Sequence, residues 1–351
     1  MTTAPPSLLD IARRVEKRID EVLRAEESRW SEFDSDLASP VAEIRRLIAA
    51  GGKRLRPAFC FWGHEGAGGV DEQRAIDAGA ALELLHAFAL FHDDVMDGST
   101  SRRGEPVTHM VFADEHRAAG SSGEARRYGE GVAILVGDLA FVYSDRLLDG
   151  ASDRARSIWH ELRIELNVGQ ILDLVGSAQH ERRRHKAERI CRYKSGKYTI
   201  ERPLHLGAML AAPDRHEELI PRLSAYGLPL GDAFQMRDDV MGAFGESAVT
   251  GKPVGDDLRE GKPTPLLAIA VERATEAQRA ILDRVGRDDL DADQVRRVQD
   301  VIVECGALEQ MEATIARLAD EAVAALDHVD LSGRSRGELI ALAEFVTRRQ
   351  T

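Results

Sequence analysis

The tetrapeptide Asp-Asp-Val-Met occurs twice, at Asp93–Met96 and at Asp238–Met241, and each copy closes a run of apolar residues. Residues four apart on a helix share a face with about 5 to 6 Å between Cβ atoms, so Asp93 and Asp97 can hold a hard cation between them. At 100° per residue, His86 falls within about 20° of Asp93, which makes His86, Asp93 and Asp97 one polar stripe on an apolar helix. In the second copy Gln235 takes the comparable upstream place, beside Asp238 and Asp239. The helix macrodipole opposes acids at a C-terminus, so two helices that end in Asp-Asp imply a compensating charge. Mg²⁺ suits these residues, because it takes one or two carboxylates together with phosphate oxygens and water. Zinc would ask for His or Cys at ligand spacing, such as HExxH, which the sequence lacks.

Cations stand in matching blocks: Lys53, Arg54 and Arg56 after the glycine pair Gly51-Gly52, Arg102 and Arg103 after the first acidic motif, Lys194 and Lys197 around Ser195-Gly196, and Lys252 and Lys262 farther on. Lys53 and Arg56 are three apart, as are Lys194 and Lys197, so on a helix each pair would face one anion. Glycines and acids beside these blocks favour a phosphate-rich ligand. A P-loop is excluded, since no Gly-Lys here has a glycine five residues before it and Ser or Thr after it.

The elements that must position these groups read as helices. Leu8 to Phe33, Glu72 to Met96, Gly131 to Leu148, Arg154 to Ser177, Lys186 to Leu210 and Ile220 to Met241 are rich in Ala, Leu, Glu and Arg with apolar spacings of three and four. No period-two alternation is long enough for a sheet, and no Gly/Ser/Pro-rich linker divides the chain, which predicts one all-α domain over 1–351. Gly98 to Gly131 reads as a surface connection, and Gly242 to Pro265 as a long charged loop that closes over bound ligand. From Ala274 onward the amphipathic helices carry no reactive constellation and read as scaffold.

At 351 residues the chain can bury a large core, and with 47 basic against 60 acidic residues its net charge of -13 opposes broad adhesion to nucleic acid. No apolar run approaches the roughly 18 to 20 residues of a membrane span. Three distant cysteines, Cys60, Cys191 and Cys305, and an N-terminus without a basic-then-apolar pattern lead us to expect a reducing cytoplasm and no disulfide framework.

In order and spacing, GGKRLRP, LHAFALFHDDVMDGSTSRRG, YKSGKYT, FQMRDDV and GKPVGDDLREGKPT resemble the motifs of trans-isoprenyl diphosphate synthases, the polyprenyl synthetases, over about Gly51 to Leu267. The last motif is similar to the short-chain, geranylgeranyl-type branch. The resemblance implies a helical bundle of the isoprenoid synthase type, with a central cavity lined by the two Asp-rich motifs, and a homodimer. It also implies a head-to-tail prenyltransferase in which Asp93, Asp97 and Asp238 hold two or three Mg²⁺ ions on an allylic diphosphate. Arg102, Lys194, Lys252 and Lys262 would grip that diphosphate. Lys53, Arg56, His86 and Arg103 would hold isopentenyl diphosphate, and Ser195 and Gln235 would shield the allylic cation.

One position departs from the pattern. The family's second motif commonly reads DDxxD, whereas the fifth position here is Gly242. We expect Asp238 to remain the direct ligand and an acid restored by Gly242→Asp to be tolerated. The departure also motivates a rival, a noncatalytic partner subunit of a heteromeric synthase. A class I terpene cyclase is a second rival, though it has no use for an isopentenyl site. Product length is expected from the fifth and fourth residues before Asp93, the large Phe88 and the small Ala89, which together favour geranylgeranyl diphosphate, with farnesyl diphosphate second.

Overall fold

A computed structural model describes residues 4–102, 104–245, 255–287 and 290–348, apart from the side chain of Asp256. Along the first part run α1 (Pro6–Phe33), α2 (Ala38–Ala49), α3 (Leu55–Gly66) and α4 (Glu72–Met96). A two-stranded ribbon follows, β1 (Ser101–Arg102) antiparallel to β2 (Glu105–Pro106), and then α5 (Thr108–Ala118) and α6 (Ala125–Arg146). Next come α7 (Asp153–Ala178), α8 (Arg184–Cys191), a π-helical segment (Arg192–Glu201), α9 (Arg202–Ala211) and α10 (His216–Phe244). The chain ends with α11 (Asp256–Glu260), α12 (Pro265–Arg273), α13 (Glu276–Leu282), α14 (Ala292–Glu304), α15 (Ala307–Ala325) and α16 (Gly333–Thr347).

Two expectations are corrected. The supposed connection from Gly98 to Gly131 holds the ribbon, all of α5 and the start of α6. The inward face of α5 is Thr108, His109, Phe112, Ala113 and His116, so its helical period is carried largely by polar residues, with the Thr108 hydroxyl donating to Glu43 at 2.6 Å. Gly242 to Phe244 belong to α10 rather than to a loop. Residues 246–254, Lys252 among them, lie outside the described residues.

The chain packs as two compact units. One comprises Pro6–Phe61 and Val70–Ala151. Its central helix is α4, buried on all sides through Leu82, Leu84, Leu85, Ala87 and Phe91. By length and hydropathy α4 could cross a membrane, but its apolar window is 67% buried within the protein, so it is a core helix. Arg54, 4% exposed, ties three helices: it donates to Glu16 of α1 at 2.9 Å, to Glu83 of α4 at 2.7 Å and to the Ile48 carbonyl of α2.

The second unit takes Trp62–Gly69 and the chain from Ser152 onward. Here Ala233, Met236, Val240 and Ala243 of α10 pack into a core completed by Leu258, Leu266, Val298, Ile302 and Met311. The C-terminal helices fix α10: Arg237 grips Glu312 with both terminal nitrogens and donates through Nε to the Thr347 carbonyl at 3.0 Å, and Gln299 donates to the Ala243 carbonyl at 2.6 Å. The three cysteines are free thiols.

Candidate active site

In the first unit, α4 starts at Asp71, whose side chain accepts from the Arg74 amide at 3.2 Å, and ends where the Asp97 amide donates to the Asp93 carbonyl at 2.8 Å. Its last turn presents Asp93 partly exposed and Asp97 exposed, while Asp94 turns inward at 4% exposure. Arg102, delivered by β1, holds Asp94 through Nη2 at 2.7 Å and Nε at 3.1 Å, and stands 3.9 Å from Asp93. Burial opposes its charge, but Asp94 above all, then Asp93 and Asp97, raise the Arg102 pKa. Arg102 is thus the counterion that organises this acidic turn, and Asp94 is a member of the site that the spacing argument passed over. His86, Phe88 and Ala89 are partly buried. The Phe88 ring packs against His92 and against Phe141 of α6, at centroid distances of 4.6 and 4.8 Å.

Lys53 and Arg56 do not share a helical face as expected. Lys53 is exposed and precedes α3, whereas Arg56 sits in its first turn. Arg103 lies outside the described residues.

In the second unit a polar cleft is lined by Asp173 of α7, Lys194 and Ser195 of the π segment, Gln235, Asp238 and Asp239 of α10, Asp257 of α11, and Lys262. Close backbone approach builds it. A Cβ on Gly169 of α7 would stand 2.4 Å from the Lys194 nitrogen, and one on Gly231 of α10 would stand 2.7 Å from the Gly196 oxygen. Both helices can therefore press against the π segment only through glycine. Four residues beyond Gly169 is Asp173, and four and seven beyond Gly231 are Gln235 and Asp238, so the faces that pack are the faces that carry the site.

The π winding also separates the two lysines that were expected to face one anion. Lys194 lines the cleft and pairs with Asp173, while Lys197 turns away to Glu165 and lies 3.8 Å from Glu201. Lys262 stands 2.6 Å from Glu260 and 3.8 Å from Asp257.

Asp239 is 5% exposed. Its Oδ1 accepts from Gln235 Nε2 at 2.8 Å, and its Oδ2 has no hydrogen-bond partner. Burial first, then the charges of Asp257, Asp238 and Asp173, raise its pKa well above the carboxylate range against the pull of the Gln235 bond. Four acids around one cleft, one of them with an unpartnered carboxylate oxygen, suit a cation. Among the described residues no three His, Cys, Asp or Glu side chains stand close enough to cage an ion unaided. Carboxylates beside lysines suit Mg²⁺, which shares its coordination sphere with phosphate and water.

The surroundings of Gly242 bear on the expected tolerance of an acid there. A Cβ there would lie 1.8 Å from Asp257 Oδ2, so Gly242→Asp in the otherwise intact chain meets a carboxylate already in place. Asp173 and Asp257 were missed by the sequence reading. The available signals were a lone acid within the apolar stretch Ile171 to Val175 and the acid pair that follows Gly255.

Acids at the C-terminal ends of α4 and α10, with cations around them, make a helical protein whose acidic turns suit divalent metal and phosphate. The chain belongs to the polyprenyl synthetase family, whose model matches residues 41–302, and it is a prenyltransferase with the all-α fold of that family. It is 32% identical to a geranylfarnesyl diphosphate synthase of Aeropyrum pernix, over 86% of this chain and 92% of that one. It is also 32% identical to a geranylgeranyl diphosphate synthase of Mycobacterium tuberculosis, over 87% and 83% of the two chains. A crystal structure of geranylgeranyl pyrophosphate synthase from Corynebacterium glutamicum, complexed with isoprenyl diphosphate and magnesium, superimposes with a TM-score of 0.91 at 36% identity. That match covers 98% of this chain and 99% of the other.

Proposed function

We propose that the protein condenses isopentenyl diphosphate head to tail with an allylic diphosphate and releases chiefly geranylgeranyl diphosphate. The observation that carries the reading is the second-unit cleft, lined by Asp173, Asp238, Asp257 and Asp239, whose Oδ2 is unpartnered, together with Lys194 and Lys262. When bound, Mg²⁺ supplies the positive charge that makes pyrophosphate a leaving group. Asp93, Asp97 and Asp238 would hold two or three such ions, and Lys194, Lys252 and Lys262 the allylic diphosphate. Arg102 positions the acids of the first motif.

Lys53, Arg56, His86 and Arg103 would orient isopentenyl diphosphate so that its double bond attacks the allylic carbon as the carbon–oxygen bond breaks. Ser195, Gln235 and apolar helix faces exclude water from the cation. The proton lost afterwards goes to the departing pyrophosphate. In this reading both acidic motifs serve one reaction, and the chain is a single catalytic domain.

We place the enzyme in the cytoplasm as a homodimer. Support for the second copy is an apolar stripe on α7, Ile164, Val168, Ile171 and Val175, each at least 43% exposed and spaced by helical turns. Incubation with isopentenyl diphosphate, Mg²⁺ and each short allylic primer, followed by chromatography, tests the reading. A twenty-carbon product is expected, and no elongated product from any primer refutes it.

A further inference from the structure

Between Lys53 and Arg56, in the turn that joins α2 to α3, stands an arginine turned the other way. Arg54 is 4% exposed, and its backbone is left-handed at φ 48°, a conformation that a residue with a Cβ takes only where its surroundings impose it. Its side chain closes α2 while its main chain opens α3. Nη2 donates to the Ile48 carbonyl in the last turn of α2, and the Arg54 carbonyl accepts from the Ala58 amide at 3.3 Å. Nη1 donates to Glu83 of α4 at 2.7 Å, a carboxylate only 1% exposed, and Nε donates to Glu16 of α1 at 2.9 Å. The face of α4 that receives this turn also carries His86, because Gly79, Glu83 and His86 follow one another by four and then three residues. At Gly79 the helices are so close that a Cβ would stand 3.1 Å from the Pro57 Cβ of α3 and 3.0 Å from Val15 of α1. All of these residues belong to the first unit.

We infer that Arg54 is a positioning residue for isopentenyl diphosphate: by pinning the turn between α2 and α3 to Glu83, it sets where Lys53 and Arg56 stand relative to His86. The inference rests on the reading that those three residues hold isopentenyl diphosphate. Arginine suits the task because its planar fork meets three acceptors on three helices at fixed angles, which the single ammonium of lysine does not. The burial of the pair points the same way. A buried ion pair often gives a fold no more stability than apolar residues of similar size, so fixing the geometry of the turn is the role that such residues would not replace.

The test is steady-state kinetics on the full chain, with KM measured separately for isopentenyl diphosphate and for the allylic primer. Arg54→Lys keeps the charge and loses the fork. Arg54→Met/Glu83→Leu removes both buried charges together, and Glu16, whose side chain is 42% exposed, can turn to water. The melting temperature of this double variant is expected near the parent's. Both proteins should need on the order of 10- to 100-fold more isopentenyl diphosphate for half-maximal rate, the scale of a binding group moved out of place. The KM for the primer should stay within about twofold of the parent's. A folded double variant with the parent's KM for isopentenyl diphosphate overturns the inference, as does a primer KM that rises by the same factor in either protein. Should the double variant not fold, Arg54→Lys decides by the same comparison. A parent protein that elongates no primer overturns the functional reading and this inference with it.

Discussion

Replacing a glycine in a helix interior by alanine ordinarily stabilises a protein by about 0.5–1 kcal/mol, because alanine loses less backbone freedom on folding. Gly169 of α7 should do the opposite. Its added Cβ would lie 2.4 Å from the Lys194 nitrogen and 2.6 Å from the Lys194 Cα. These are backbone atoms of the π segment and cannot rotate away as a side chain could. Restoring ordinary carbon contact requires a shift of about 1 Å, and overpacking of this kind costs roughly 1–3 kcal/mol. Set against the helix gain, the expected net loss is about 0.5–2 kcal/mol. The shift would also carry Lys194 away from Asp173, so pyrophosphate binding should weaken together with stability. Gly131 of α6 provides the control, since nothing lies within 4 Å of its Cβ and Gly131→Ala should stabilise by the ordinary about 0.5–1 kcal/mol. Urea unfolding followed by circular dichroism, with calorimetry of pyrophosphate binding, measures both effects. A Gly169→Ala protein that is as stable as the parent and binds pyrophosphate equally well would refute the reasoning.

Three further outcomes are expected. Asp93→Ala and Asp238→Ala should each slow condensation on the order of a thousandfold by removing several kcal/mol of charge stabilisation, and near-normal steady-state turnover in either would remove that residue from the metal site. Phe88→Ala should lengthen the product and Ala89→Phe should shorten it, which chromatography of the dephosphorylated products checks; two folded variants with the parent's product would show that these residues are not the floor. His205, fully buried, has its pKa pulled down to about 3 by burial first and then by Arg202 and Lys197. The unfolded chain, with its histidine near pKa 6.5, takes up the proton first, so stability is full above about pH 6.5 and falls as the pH drops towards 3, by on the order of a few kcal/mol in all. Unfolding at several pH values should show that slope in the parent and its absence in His205→Gln, and equal slopes would contradict the assignment.

Helices with an apolar inner face were legible from spacing alone: α1, α4, α7 and α10 fall close to where Leu8, Glu72, Arg154 and Ile220 start their runs. α5 was not, because its inner face carries Thr108, His109 and His116 and its burial depends on partners such as Glu43 that are far away in sequence. The pairing of Lys194 with Lys197 failed for a different reason. Nothing local distinguishes an α turn from a π turn, and the winding is imposed by Gly169 and Gly231 pressing from two other helices. The acids show the same division. Asp93 and Asp97 declare themselves by spacing, whereas Asp94, Asp173 and Asp257 acquire meaning only from what folding places against them. At Gly242 the space a side chain would take is occupied by the Asp257 carboxylate of α11, which no local pattern in the sequence announces.

The central claim, that the chain transfers a prenyl group to isopentenyl diphosphate rather than merely ionising or hydrolysing an allylic diphosphate, is tested most directly by counting pyrophosphate. Purified protein is given farnesyl diphosphate and Mg²⁺, with and without labelled isopentenyl diphosphate. The account predicts one pyrophosphate released for each isopentenyl unit incorporated, and almost none when isopentenyl diphosphate is left out. Pyrophosphate released at the same rate without isopentenyl diphosphate, with no label entering a longer chain, would contradict it.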